Sequence, residues 1–388
     1  MSKQTRRAVG VGAGMGILAL ALILVLSPFY ATRATTYAAK AGSRAISTIN
    51  GLSRIAIVGS TAFIVDGRGR TIAVDSNPYG VTIVPASIRA SNAPGLLKAG
   101  DILVSNIGAN DTGTTLVRFT AKGGPGFLFN TAANPATKGP NAEVLNTLSG
   151  NVWVANVSGN NVQVFRPTGT VLTTISNPLL KKPWGLAFNH GIPNARDGSV
   201  GAFFATNVAD AAIERIEIVP GRGLPTFRVS QIGQLSRSGP ETKIAVAWVP
   251  TLRLHGVLYS DVLLAIDGAN NRIAAYPNSS TRQVGGAPST DRGITAFQGS
   301  PLNSPIGLTL NPLNGDLLVV NQNDNNLVEL NLAKGRVVGI RLLDNVPVDA
   351  QTGNGSALIG VAARIDARGN LEVLFTDDNT NTLDVLST

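Results

Sequence analysis

One unit recurs six times between residues 71 and 388, and this recurrence limits the fold more than any other property of the sequence. Each copy holds a short apolar strand ending in Asn or Asp, a polar turn rich in Asn, Asp and Gly, and a second apolar strand. Asp101–Asn106 precedes Thr115–Phe119, Asn151–Asn156 precedes Asn161–Phe165, and Ala202–Asn207 precedes Ala212–Ile216. Further on, Val262–Asp267 precedes Asn271–Tyr276, Asp316–Gln322 precedes Asn326–Leu330, and Leu371–Asp377 precedes Thr382–Leu386. The strand-terminal residues Asn106, Asn156, Asn207, Asp267, Asn321 and Asp377 follow one another at intervals of 50, 51, 60, 54 and 56 residues. A period of this length, made of strands and turns, describes a small sheet that buries its faces only by stacking on copies of itself.

A second signal opens four of the six units: Pro78-Tyr79-Gly80, Pro183-Trp184-Gly185, Pro305-Ile306-Gly307 and Ile359-Gly360, each leading into an alternating strand. The reading at this level is that Gly turns the backbone tightly into the strand and Pro fixes its approach. The units near Val144 and at Ile244–Trp248 lack the signal. With 44% hydrophobic but only 5% aromatic residues, the core falls to Val, Ile, Leu and Ala, a composition suited to many short strands. The expected fold is all-β, a six-bladed β-propeller over residues 48–388. The last unit has three strands, 359–365, 371–376 and 382–386, whereas Ser47–Val74 holds strand-like runs at Arg54–Val58, Ala62–Val65 and Thr71–Val74. One of these runs is expected to return as the missing outer strand and close the ring, hiding an otherwise open edge.

The units resemble the NHL-repeat family of propellers, and Asp267-Gly-Ala-Asn-Asn271-Arg272-Ile273 is close to that family's second-turn motif. The resemblance implies six blades around a channel, with the first strand of each blade innermost. Its motifs are specific for architecture and silent on activity. Six-bladed lactonases of the gluconolactonase type offer an enzymatic comparison, since they hold a divalent metal over the channel with acidic and amide residues, some immediately before the Gly that opens an inner strand. At the matching positions this chain has Tyr79, Trp184, Ile306 and Ile359, which are unsuited to a hard cation.

Charge and cysteine exclude other classes. The formal net charge is +9, from 32 basic and 23 acidic residues. Six of the basic residues, Lys3, Arg6, Arg7, Arg33, Lys40 and Arg44, precede residue 45 with no acid among them, so the body is near balance and lacks the dense basic surface that nucleic acid requires. The absence of cysteine removes disulfides, thiolate metal sites and thiol nucleophiles. Lys3–Arg7 followed by the uncharged stretch Ala8–Tyr30, most apolar at Ile17–Leu26, reads as a positive n-region and an apolar h-region. Residues 1–30 are therefore expected to be a signal peptide or a transmembrane helix, and residues 31–47 a linker. The ten-residue centre suits cleavage, whereas the apolar or Gly run Ala8–Leu26 suits an uncleaved anchor that holds the chain to a membrane through residues 8–30. Either way the body is extracytoplasmic.

No serine elbow, phosphate loop, dinucleotide-binding glycine pattern or zinc-protease motif occurs. His190 and His255 both fall in loops between first and second strands, where a solvated side chain is the expected state. Asp377-x-Asn379-x-Asn381 has the alternating oxygens of a calcium loop but neither its Gly nor its bidentate Glu, so turn chemistry is preferred, calcium disfavoured and no cofactor expected. Arg118, Arg215 and Arg272 read as solvated faces. The residues left as candidates for ligand binding at the channel mouth are Tyr79 and Trp184, which offer flat apolar surface, with the oxygens of Asn106, Asn156, Asn207, Asp267, Asn321 and Asp377. The leading expectation is a binding module for a protein or carbohydrate partner. The alternative is a lactonase-like hydrolase or lyase centred on the channel. The long segments Pro85–Ala99, Asn189–Ser199 and Pro277–Arg292 are expected to share one face of the disc, where long loops often carry function.

Overall fold

Short apolar strands joined by tight turns pair with their sequence neighbours, so each unit becomes one antiparallel sheet. The computed structural model describes residues 47–86, 97–130, 134–147, 149–189, 202–219, 226–236, 245–282, 288–349 and 351–388. These belong to one unit, Ala39–Thr388, and the expected leader or anchor at 1–30 lies outside the described residues. Among the described residues no helix is long and apolar enough to cross a membrane.

Blade 1 comprises Pro78–Ile83, Ile102–Asn106, Thr115–Phe119 and Phe127–Leu128; blade 2 comprises Pro140–Leu145, Val152–Asn156, Asn161–Phe165 and Val171–Ser176. Blade 3 is built from Pro183–Phe188, Ala202–Asn207, Ala212–Val219 and Thr226–Gln234, and blade 4 from Val246–Leu254, Val257–Asp267, Arg272–Tyr276 and Ile294–Gln298. Pro305–Leu310, Leu317–Asn321, Asn326–Asn331 and Arg336–Leu342 form blade 5. Blade 6 has Leu358–Ile365, Leu371–Asp377 and Thr382–Ser387, and its outer strand is Arg54–Ser60 from the other end of the chain, paired antiparallel from Arg54 with Ser387 to Ser60 with Thr382. The two remaining runs form a separate hairpin, Phe63–Val65 with Thr71–Ala73, seated beside blade 1 through a bond from the Val65 N–H to the Gly126 carbonyl. The fold is that of a six-bladed β-propeller.

Burial follows the ring. Six apolar clusters each join two neighbouring blades, such as Leu318, Val320 and Leu327 with Val373, Phe375 and Leu386 across blades 5 and 6. The first strands neighbour one another around the channel. Alternation of strand direction divides the disc into a linker face, carrying the turns between second and third strands and the connections between blades, and a hairpin face, carrying the other loops.

The glycines that open the inner strands have a different job from the tight turn expected of them. Gly80, Gly307 and Gly360 are not in the left-handed region. A Cβ on Gly307 would collide with the Ile359 carbonyl, and one on Gly360 with the Tyr79 carbonyl of blade 1. They are glycines because adjacent inner strands converge there and leave no room for a side chain. Each inner strand of this kind also carries a bulge, with register breaks between Pro78 and Val81, Pro183 and Leu186, and Leu358 and Val361. The freed N–H groups of Gly80, Gly185 and Gly360 donate to the hydroxyls of Ser105, Thr206 and Thr376, each one residue before its strand-terminal Asn or Asp.

Arg215 and Arg272 are buried rather than solvated. Arg215 donates to the carbonyls of Ser279, Ser280 and Arg282, while Arg272 pairs with Asp267 at 3.3 Å and donates to the carbonyls of Arg292 and Gly293. Both guanidiniums anchor the ends of the long third-to-fourth strand loop of blade 4.

Candidate functional site: the channel mouth on the linker face

Each second strand ends in Asn or Asp because the turn that follows must satisfy several backbone groups at once. Asn106 donates to the Thr61 carbonyl at 2.9 Å, Asn207 to the Leu179 carbonyl at 2.6 Å and Asn321 to the Pro301 carbonyl at 2.8 Å. All three acceptors lie just after the outer strand of the preceding blade. Asn156 donates to Asn161 and Gln163 within its own blade, at 3.0 and 3.2 Å. Asp267 accepts from Asn270 and Arg272, and Asp377 from the Thr380 N–H. All six residues are buried. Each of these side chains is thus bonded within its turn or across a blade junction.

Asn residues of the 2–3 turns, among them the Asn271 and Asn381 of the motifs above, stitch the linker face together. Asn160, Asn271, Asn325 and Asn381 sit in the 2–3 turns with φ of 48°, 47°, 52° and 54°. Their Oδ1 atoms accept the N–H groups of Lys182, Ser304, Ala357 and Asn77, each immediately ahead of the next blade's inner strand, at 2.8 to 2.9 Å. Asn tolerates the left-handed region and carries a short acceptor, so one residue type serves both needs. The signal available was the Asn four residues after the strand-terminal Asn or Asp in every blade but blade 3, which has Ala211 there.

Tyr79 and Trp184 are brought together. They start the inner strands of blades 1 and 3, yet their rings meet edge to face with centroids 5.4 Å apart. Between them, at the same place in blade 2, Asn141 donates to the Trp184 carbonyl at 2.8 Å. Ile107, Val157 and Val208, each one residue past a strand-terminal Asn, complete this apolar cluster. Trp184 is buried and Tyr79 half-buried. Ile306 and Ile359 hold the corresponding positions of blades 5 and 6 and are buried. The described part of the mouth is therefore aromatic on one side and aliphatic on the other.

Below Tyr79, Glu143 of blade 2 faces Ser105 of blade 1, in space left open by Gly80. Burial pushes its carboxyl up to about 8, the Ser105 hydroxyl opposing weakly, so it is mostly protonated at neutral pH. Glu214 in blade 3 is likewise raised to about 8 by burial and by Asp210, with Lys181 acting in the other direction. Asp384 is raised to about 6, chiefly by burial. Among the described residues no group of three or more His, Asp or Glu is placed to hold a metal ion. His255 lies exposed in the first hairpin of blade 4, its Nε2 3.1 Å from the Thr295 carbonyl oxygen, and His190 lies outside the described residues. Most of Pro85–Ala99, all but the first residue of Asn189–Ser199 and residues 283–287 are also outside them.

No protein-family model matches the chain, and no curated protein matches it. Solved structures do. A protein of unknown function from Bacteroides thetaiotaomicron is similar over 86% of this chain and 75% of its own, at 11% identity and a TM-score of 0.54. An auxiliary nutrient binding protein from the same organism is similar over 86% and 76%, at 9% identity and a TM-score of 0.52. Virginiamycin B lyase from Staphylococcus aureus is more distant, with a TM-score of 0.46 at 13% identity over 81% of this chain and 96% of its own. At these identities the likeness concerns the fold.

Proposed function

We propose that this chain is an exported, NHL-like β-propeller that binds a ligand or partner at the channel mouth of its linker face. The observation that carries this reading is the Tyr79–Trp184 contact, in which two blades separated by a third place aromatic rings together at the mouth. Flat apolar surface beside a backbone-lined channel suits a sugar ring, an aromatic group or the side chain of a protein partner. The basic n-region and apolar stretch of residues 1–30 support export, with the body either tethered through residues 8–30 or released. A thermal-shift screen of the full chain against glycosides, aromatic acids and amides, and short peptides tests the reading. A true ligand raises the melting temperature of the native chain and loses that effect in Tyr79→Ala. A hit whose shift survives that substitution binds elsewhere and contradicts the reading.

The alternative, a channel-centred hydrolase or lyase acting on a carbohydrate or lactone, has one observation in its favour. Glu143 stands on an inner strand and keeps its proton near neutral pH, as a general acid must. Lactone hydrolysis by the native chain that disappears in Glu143→Gln, with folding retained, would favour this alternative.

A further inference from the structure

Three lysines stand at the aromatic end of the mouth. Lys138 and Lys181 occupy the same place in successive linkers, two residues ahead of Pro140 and Pro183, and their carbonyls accept turn N–H groups from Gly159 and Ala209. Lys182 follows Lys181 and directly precedes Pro183 and Trp184. Lys181 pairs with Asp210 at 3.0 Å, whereas Lys138 and Lys182 are exposed and have no ion pair among the described residues. Blades 5 and 6, across the disc from blades 2 and 3, present Asp324, Asp344 and Asp378 in the turns and linker of the same face. On the side of blades 1 to 3 the same face also carries Asp75, Asp111 and Asp210, of which Asp210 takes Lys181 and Asp75 accepts from the Thr114 N–H, so it is the exposed ammoniums of Lys138 and Lys182 that mark the aromatic side.

The backbone of Lys182 adds a separate argument. The residue ahead of the inner strand is left-handed in four linkers, at Asn77 (φ 61°), Gly139 (φ 64°), Lys182 (φ 53°) and Ser304 (φ 51°). Three of these linkers use Asn, Gly or Ser, small residues common in turns, and the first two tolerate this region best. Lysine bears a steric cost there without any compensating local bond from its side chain. Its backbone is nevertheless fixed, the N–H donating to Asn160 Oδ1 at 2.8 Å and the carbonyl accepting from the Val208 N–H at 3.0 Å, so the ammonium springs from a rigid base two residues from Trp184.

From these observations we infer that the mouth selects a small aromatic carboxylate, its ring against Tyr79 and Trp184 and its carboxylate toward Lys182 and Lys138. The inference rests on the binding reading above and adds the charge of the ligand to it. The exposed ammoniums of Lys138 and Lys182 attract the carboxylate toward that end of the mouth.

Indole-3-acetate and its neutral isostere indole-3-acetamide are the probes, titrated by calorimetry and saturation-transfer NMR against the full chain, against Lys182→Asn and against Tyr79→Leu. Asn suits the left-handed position, so Lys182→Asn should melt at the same temperature as the native chain or above it, and weaker binding cannot then be ascribed to unfolding. The expected result is that the acetate binds more tightly than the acetamide and loses about threefold to fivefold in affinity in Lys182→Asn, a typical worth for one exposed charge. The acetamide should bind both chains equally, and Tyr79→Leu should weaken both probes. If the two probes bind alike and Lys182→Asn changes neither, the charge selection is overturned while the aromatic site stands. If neither probe responds to Tyr79→Leu, the site itself is overturned.

Discussion

A single Asn in each of four 2–3 turns holds one blade to the next, and the energetics of that bond can be isolated. Asn325 is fully buried, with Oδ1 on the Ala357 N–H and Nδ2 on the Gly355 carbonyl. Asn325→Ala should cost about 1–3 kcal/mol in urea unfolding, since it strands buried backbone groups and puts Ala in the left-handed region. Asn325→Gly restores the backbone conformation alone and should recover only part of that loss. Exposed Asn160 should show a smaller effect in the same comparison. Buried carboxyls make a second prediction at this scale. Glu143 and Glu214 are raised from 4.5 to about 8, and Asp316 and Asp384 from 3.8 to about 6, so the native state binds more protons than the unfolded chain. Stability from these groups is full below the unfolded values and is lost as pH rises through the folded ones. The melting temperature should accordingly fall between about pH 4.5 and pH 8, most steeply below about pH 6, and Glu143→Gln with Glu214→Gln should flatten the part above pH 6.

At the scale of strands, closure depends on the N-terminal segment. Glu329 of blade 5 accepts from the Ser47 and Thr48 hydroxyls and the Thr48 N–H at 2.7 to 2.9 Å, and from the Asn311 and Asn314 amides. This carboxylate seats Ile49 in the core between blades 5 and 6, just before the strand that completes blade 6. Glu329→Ala should lower stability by about 3 kcal/mol and expose residues 47–53 to protease, while Glu329→Gln should retain part of the latch. Gly307→Ala, which drives a methyl into the Ile359 carbonyl, should cost about 1–3 kcal/mol by the same denaturation measurement.

The repeat period and the three-stranded last unit made the ring and its clasp legible in the sequence. The choice of Arg54–Ser60 among three runs was not, because pairing with Thr382–Ser387 is a contact between chain ends. Periodicity likewise revealed that Gly belongs at 80, 307 and 360 without the reason, which is the convergence of neighbouring inner strands. Tyr79 and Trp184 could be named from their place in the unit. Their mutual contact could not, since it spans blade 2. Arg215 and Arg272 read as surface residues because a strand pattern does not disclose carbonyls arriving from a distant loop.

For the whole molecule, the two faces of the disc make opposite offers. The hairpin face carries the described ends of two of the long segments, residues 85–86, 97–99, 277–282 and 288–292, and the linker face carries the aromatic mouth, the lysines and the Asn stitches. Placing the site on the linker face puts binding where six inner strands converge and where neighbouring blades are tied most directly to one another. The most direct test is the footprint of a bound probe, read by hydrogen–deuterium exchange of the full chain with and without saturating indole-3-acetamide. Protection gathered at residues 78–80, 138–141 and 182–185 is the predicted result. Protection confined to residues 85–99 and 277–292, with the mouth unchanged, would contradict the account.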